Sequence, residues 1–452
     1  MSNLNKKIGI ISLGCPKNLV DSEVMLGLLS GSGFEITNNE DEAEIIIVNT
    51  CGFIEQAQQE SVNTILEMAQ KRGKGCELLI VTGCMAQRYK EKILEEIPEV
   101  DAVVGTGSYG EIADIIKKAY EKENGREKMV FDSDSGIGYL DGDRVVSTGK
   151  SYAYLKIAEG CNNCCTYCVI PSLRGPYRSR SIESVVRDAE KLAMQGIKEV
   201  IITAQDTTRY GLDNYGSRKL SELIQRISKI NGIEWIRLLY CYPEEIDDSL
   251  IDEIASNEKV CKYIDIPIQH ASDRILKLMG RRGRKADIEN LINKMRAKIP
   301  GLIIRTTLIA GFPTETENDF EELLDFVNRM KFDKLGVFAY SKEEGTPAAK
   351  MKPQVPKKIR EQRRDRIMKL QENIVIQKNT EKIGNIYNVL VEGVADDGIF
   401  YYGRSYAEAP DIDGLIYFTS EEPLEISTFA NVKILNIDNY DLIGEVTNEF
   451  AK

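Results

Sequence analysis

The sequence predicts an α/β protein in three parts: an N-terminal doubly wound α/β domain over residues 1–140, a central partial (βα)6 barrel over 141–375, and a small antiparallel β-barrel over 376–446. Three observations predict it. Buried-strand runs alternate with helical patterns in the first third. A second alternating block starts at Tyr152 and holds six units. Beyond Ile376 helical periodicity gives way to short strands divided by Gly, Asp and Pro. A chain of 452 residues is also too long for one ordinary core.

In the first block the apolar runs Ile8–Leu13, Ile45–Asn49, Leu78–Thr82 and Ala102–Val104 read as buried parallel strands. Helical patterns such as Leu19–Leu29 and Gln56–Gln70 lie between them, and the domain ends near Gly125 to Asp141. The second block has strands at Tyr152–Ile157, Glu199–Thr203, Trp235–Tyr240, Tyr263–Pro267, Leu302–Ile309 and Lys334–Phe338. Helices such as Ile182–Met194 and Asp319–Met330 separate them. Six units, not eight, predict a barrel open on one side, wide enough for a large substrate. A charged helix follows from about Pro356 to Lys378, then strands at Ile386–Glu392, Gly398–Tyr402, Gly414–Phe418 and Asn431–Ile437.

Composition narrows the function. No apolar run approaches the roughly 18 residues a membrane span needs, and Met1 to Lys7 is too polar for a signal peptide. A reducing, cytoplasmic setting follows, in which ten cysteines are thiols or metal ligands and not disulfides. The net charge of −12 argues against general nucleic-acid binding, and a single histidine, His270, excludes multi-histidine chemistry.

The segment Gly160–Cys168 holds four thiols. Read as two abutting C-x-x-C pairs it would suggest zinc, but such pairs are ordinarily roughly 12–20 residues apart. Read as Cys161-x3-Cys165-x2-Cys168, with Cys164 a passenger, it gives three thiolates for a four-iron cluster whose fourth iron stays open. This loop follows the first strand of the six-unit repeat, on the face where barrel active sites lie.

Three further cysteines, Cys15, Cys51 and Cys84, each sit just past the carboxyl end of an N-terminal strand, beside Gly14, Gly52 and Gly83. That edge is where open α/β sheets bind ligands. One such cysteine would be an ordinary small apolar residue; three at equivalent places suggest a second three-thiolate cluster. Cys76, Cys241 and Cys261 lack such placement and read as structural.

Cys161-x3-Cys165-x2-Cys168, with Tyr167 before the last cysteine, resembles the radical S-adenosylmethionine superfamily. With Cys15, Cys51 and Cys84 upstream and a small β-barrel downstream, nearly the whole chain resembles the methylthiotransferases. The central part is then a radical S-adenosylmethionine barrel and the tail a TRAM-like module. Ser12–Glu23, Cys168–Gly175 and Arg404–Pro410 resemble the subgroup acting on an aspartate of a small-subunit ribosomal protein, the twelfth. Cys164 departs from the pattern, where a polar residue is expected.

The resemblance implies two [4Fe–4S] clusters and two S-adenosylmethionine per turnover. The iron held by Cys161, Cys165 and Cys168 binds S-adenosylmethionine, whose reductive cleavage gives a 5′-deoxyadenosyl radical. The cluster on Cys15, Cys51 and Cys84 supplies sulfur, and further S-adenosylmethionine supplies methyl. It also implies a flavodoxin- or ferredoxin-like electron donor. An unactivated C–H bond is beyond side-chain acid–base work, so a cofactor must carry that step.

Around the cofactor, Tyr167 either packs on the adenine or shields the cluster. Gly311, in Leu308–Thr316, either lets the nucleoside approach or belongs to an ordinary turn with Thr314 as helix cap. Gln269 and His270 close the fourth strand, and Gln205 and Asp206 the second; each is either a contact or a structural residue. Arg174, Arg178 and Arg180 either bind a carboxylate or form rim salt bridges. The basic residues from Lys357 to Arg366 read as a solvated helix face.

From Ile376 to Val446 there are 13 acidic residues against 4 basic ones. Such a module repels RNA and attracts a basic ribosomal protein or ribosomal subunit. This favours the protein substrate over methylthiolation of adenosine in transfer RNA, while the cysteine spacing and the three strand-end cysteines argue against a third reading, a non-catalytic zinc scaffold.

Overall fold

A computed structural model describes residues 6–121, 128–133 and 136–449. Met1–Asn5 of the polar N-terminus, and parts of Gly125–Asp141, fall outside the described residues. The chain forms two compact units, one of residues 1–147, 158–163 and 168–180, the other of 148–157, 164–167 and 181–452.

The first unit is built on a six-stranded sheet in the order Glu35–Ile36, Lys7–Ser12, Ile45–Thr50, Leu78–Gly83, Ala102–Val104, Met129–Phe131, every neighbour parallel. Ile45–Thr50 and Leu78–Gly83 are buried along their whole length, as sequences apolar on both faces require. The two edge strands were not expected. Glu35–Ile36 is two residues long, and Met129–Phe131 follows a charged stretch, so neither carries a strand-length apolar run. The strand order reverses between Lys7–Ser12 and Ile45–Thr50, which opens a crevice at their carboxyl ends.

The second unit holds six parallel strands in simple sequence order: Tyr152–Lys156, Glu199–Thr203, Trp235–Leu238, Val260–Asp265, Ile303–Ala310 and Lys334–Ala339. First and last do not pair, so the barrel is open, as six units predict. Two strands shift by more than one residue. The third strand ends at Leu238 because Tyr240 turns left-handed, φ 60°. The fourth begins three residues early and ends at Asp265, so Gln269 lies beyond it. Gln269 instead forms an isolated bridge with Leu308, at φ 71°.

The tail is a closed five-stranded barrel in the order Ile386–Val394, Tyr401–Arg404, Ile416–Thr419, Asp441–Val446, Phe429–Asp438. Asp441–Val446 was not expected, since Asp, Gly and Glu interrupt its apolar pattern. It pairs parallel to Ile416–Thr419; every other pairing in this barrel is antiparallel. Val389, Val391, Ile416, Phe418, Val432 and Ile434 fill the interior. Among the described residues no helix is long and apolar enough to cross a membrane.

Candidate functional site

Three adjacent strands of the first unit deliver Cys15, Cys51 and Cys84 to one edge. Cys15 is the residue before the helix Pro16–Gly31, Cys51 directly follows Ile45–Thr50, and Cys84 opens the helix Cys84–Tyr89. Neighbouring strands lie about 4.8 Å apart, so three successive strand ends bring three loops to one place. The glycines make the approach possible. A Cβ on Gly14, at φ 90°, would stand 2.7 Å from Cys51 Cβ and 3.0 Å from its Sγ. A Cβ on Gly52 would stand 2.9 Å from the Cys84 carbonyl carbon. Burial pushes the Cys51 thiol up to about 12, and the charges of Cys15 and Cys84 add to the rise. Burial also raises Cys84, with Arg174 pulling the other way.

Arg174 is buried in the same unit. Its Nε donates to Cys84 Sγ at 3.3 Å, Nη1 to Asp21 Oδ2 at 2.6 Å and Glu159 Oε2 at 3.1 Å, and Nη2 to Asn18 Oδ1 at 2.9 Å. Tyr139 donates to Asp21 Oδ1 at 3.0 Å, and the guanidinium lies 5.9 Å from the Tyr109 ring centre. Arg174 is therefore neither on a rim nor free for a substrate carboxylate. Arg178 donates to the Arg174 carbonyl oxygen, and the buried Arg180 faces Asp141 at 3.5 Å.

The second cysteine segment is held on both sides of its sequence. In the first unit, Cys161 N–H donates to the Gly175 oxygen, and the Asn163 and Ile170 amides donate to the sulfurs of Cys161 and Cys168, each at 3.4 Å. In the second unit, Cys165 Sγ lies 2.7 Å from the Tyr242 hydroxyl, and the buried Arg281 guanidinium stacks 4.0 Å over the Tyr242 ring. Thr166 N–H donates to the Met279 oxygen, and the Thr166 carbonyl accepts from the Ala348 amide. Tyr167 packs edge-on against Phe312, 6.5 Å between centres. Cys164 is exposed, and Cys76, Cys241 and Cys261 are buried.

At the barrel mouth, Glu315 organises the turn after the fifth strand. Its Oε2 accepts from the amides of Gly311 at 2.9 Å and Phe312 at 3.1 Å, and faces His270 Nε2 at 3.3 Å. Arg363 Nη1 donates to Glu315 Oε1 at 2.8 Å. His270 Nδ1 accepts the Ser272 amide, so the ring is a buried structural link. A Cβ on Gly311, at φ 76°, would lie 2.2 Å from Arg360 Cγ. The glycine is thus required by the helix Lys357–Thr380 packing against the turn. That helix is only partly a solvated face: Arg363 is buried on Glu315, and Arg360 donates to the Tyr340 oxygen. The helix cap is Thr316, not Thr314. Thr316 Oγ1 accepts from the Asp319 amide and the Asp319 carboxylate accepts from the Thr316 amide in return, while Thr314 is left-handed and donates its amide to the Pro353 oxygen. Asp206 is buried and accepts from Thr208, and Gln205 is half-buried beside it.

Two sets of three thiols are the soft donors that iron–sulfur clusters take. Among the described residues no three Cys, His or carboxylate side chains already stand in metal-holding range. What is brought together is the backbone of the Cys15, Cys51 and Cys84 loops. Sequence reading missed Tyr242, Arg281 and Glu315, and gave Arg174 a carboxylate or rim role where the structure sets it on Cys84. Arg174 alone carried a local signal, a charge closing the otherwise uncharged run Val169–Leu173.

Family models match in three places: Uncharacterized protein family UPF0004 over residues 7–105, the Radical SAM superfamily over 155–327, and the TRAM domain over 383–447. The chain is 61% identical to the ribosomal protein uS12 methylthiotransferase RimO of Acetivibrio thermocellus, over 99% of this chain and 100% of the relative. It is 53% identical to the protein of the same name from Clostridium kluyveri, over 99% of both. Among solved structures it shares the fold of the radical S-adenosylmethionine methyltransferase TsrM from Kitasatospora setae. That match has a TM-score of 0.55 and 17% identity, and covers 76% of this chain and 77% of the other. With full-length identity at this level, matching all three domain models, the chain belongs to the radical S-adenosylmethionine methylthiotransferases of the RimO type.

Proposed function

We propose that this chain adds a methylthio group to the β-carbon of an aspartate in ribosomal protein uS12. The observation that carries the reading is the delivery of Cys15, Cys51 and Cys84 from three adjacent strand ends, in a chain that also carries Cys161-x3-Cys165-x2-Cys168. Cys161, Cys165 and Cys168 hold one [4Fe–4S] cluster and Cys15, Cys51 and Cys84 a second. When bound, the clusters and S-adenosylmethionine supply one-electron reduction, hydrogen abstraction, sulfur and methyl.

The chain's own residues fix and shield these groups. Tyr242 aims its hydroxyl at Cys165 from beneath the Arg281 guanidinium. Glu315 holds the turn at Gly311, and through that turn Gly311 shapes the S-adenosylmethionine side of the barrel. Tyr167 and Gln269 contact the cofactor there. The three parts 1–140, 141–375 and 376–446 act as cluster domain, radical barrel and substrate-steering module. The acidic module steers the basic substrate, as free protein or ribosomal subunit, without gripping nucleic acid. The setting is cytoplasmic, with a flavodoxin- or ferredoxin-like electron donor.

Anaerobically purified protein should hold about eight irons per chain, four for each cluster. The C161A/C165A/C168A variant should keep about half. Zinc in place of iron, or an unchanged iron count, sinks the two-cluster reading. Mass spectrometry of ribosomal proteins from cells lacking the chain should show uS12 without its methylthio mass. Loss of that mass from transfer RNA, with uS12 unchanged, would reassign the substrate.

A further inference from the structure

The short helix Ile170–Arg174 touches cysteines of both proposed clusters. At one end the Ile170 amide donates to Cys168 Sγ at 3.4 Å. At the other, Arg174 Nε donates to Cys84 Sγ at 3.3 Å, and Val169 and Leu173 pack against Cys84 between these contacts. Resting on the two-cluster reading above, we propose that Arg174 is a positioning residue for the second cluster: a buried cationic donor that fixes Cys84 and sets the reduction potential of the cluster Cys84 helps hold.

Three features support this assignment. A guanidinium with 3% exposure needs its charge balanced. Asp21 and Glu159 do so, while Asn18 and the Tyr109 ring restrain the remaining faces, so the fork stays aimed at the sulfur. Hydrogen bonds to ligating sulfurs are a main lever on cluster potentials. A donor bearing positive charge stabilises the more negative, reduced cluster and raises its potential. Finally, Arg174 lies six residues beyond Cys168, so one rigid turn serves as outer shell to both cysteine sets.

The test uses the full chain carrying C161A/C165A/C168A, so that the second cluster is observed alone. R174K keeps the charge and loses the fork. Potentiometric titration with dithionite, followed by electron paramagnetic resonance, reads the cluster without turnover. At the potential where half the cluster is reduced with Arg174 present, R174K should lower the reduced-to-oxidised ratio about tenfold, or about 59 mV for one electron. Loss of iron with unchanged far-ultraviolet circular dichroism would support the positioning role equally. If R174K does not fold, R174M/D21N, which removes the charge with one counter-charge, gives the same comparison. An unchanged potential and spectrum overturns this proposal alone. A background that holds no cluster overturns the two-cluster reading, and this proposal with it.

Discussion

A phenol 2.7 Å from Cys165 Sγ, pinned from behind by a buried guanidinium, has little freedom to leave the sulfur. Its hydroxyl offers a neutral donor to the thiolate proposed to ligate iron, where Arg174 offers a charged one to Cys84. Y242F deletes only that donor and keeps the ring under Arg281. On the proposed assignment of Cys165, the expected outcome is a chain that folds and binds iron as before but whose radical-generating cluster is harder to reduce, so that S-adenosylmethionine cleavage under limiting reductant slows several-fold. Cleavage unchanged at every reductant concentration would show that the contact is only packing. These donors explain what the sequence could and could not reveal at this scale. Cys15, Cys51 and Cys84 are legible as strand-end residues because each follows an apolar run that itself marks the strand. Tyr242 lies 77 residues from Cys165 and Arg174 lies 90 from Cys84, and no local periodicity encodes a pairing across such a span.

At the scale of elements, the turn after the strand Ile303–Ala310 shows why a glycine's purpose is hard to read from a motif. The space beside Gly311 is taken by Arg360 of the helix Lys357–Thr380, including its backbone Cα at 2.8 Å. A side chain there meets both a left-handed φ and an immovable neighbour. G311A should therefore destabilise by about 2–4 kcal/mol, seen as a lower thermal midpoint. S-adenosylmethionine affinity should fall only as far as the fold is lost. A variant that melts normally yet fails to bind the cofactor would instead mean that the glycine admits the nucleoside directly. The same contrast separates the elements predicted well from those missed. The strands Ile45–Thr50 and Leu78–Gly83 are buried on both faces and announce themselves as apolar runs. Asp441–Val446 has alternating burial and interrupting charges, and is fixed as a strand by its neighbours in the closed barrel.

Across the larger unit, the tail barrel is seamed to the open barrel through buried charge. Glu199, on the second strand of the open barrel, accepts from Arg237 at 2.5 Å and from Arg404 of the tail at 2.7 Å, and Trp235 packs on Phe429 at 4.8 Å. The segment Arg404–Pro410, which reads as a family motif, is this seam. Its Glu408 is fully buried. Burial opposes its ionisation, but Lys382 at 3.5 Å, Lys334 at 3.9 Å and the Ser405 hydroxyl and amide outweigh it and hold the carboxyl down at about 2. A carboxyl with a lower pKa in the folded chain than in the unfolded one stabilises the fold above its unfolded value, and that contribution fades as pH falls toward the folded value. For Glu408 the window runs from 4.5 down to about 2, and the full contribution is about 3 kcal/mol at most. E408Q also leaves Lys382, whose own pKa burial draws down, without its counter-ion. Anaerobic urea unfolding should therefore show E408Q well below the parent chain at pH 7. The gap should hold to about pH 5 and narrow as the pH falls through 4, because protonation brings the parent toward the variant. A gap that stays constant through this range would mean that Glu408 acts through its hydrogen bonds to Ser405 and not through its charge.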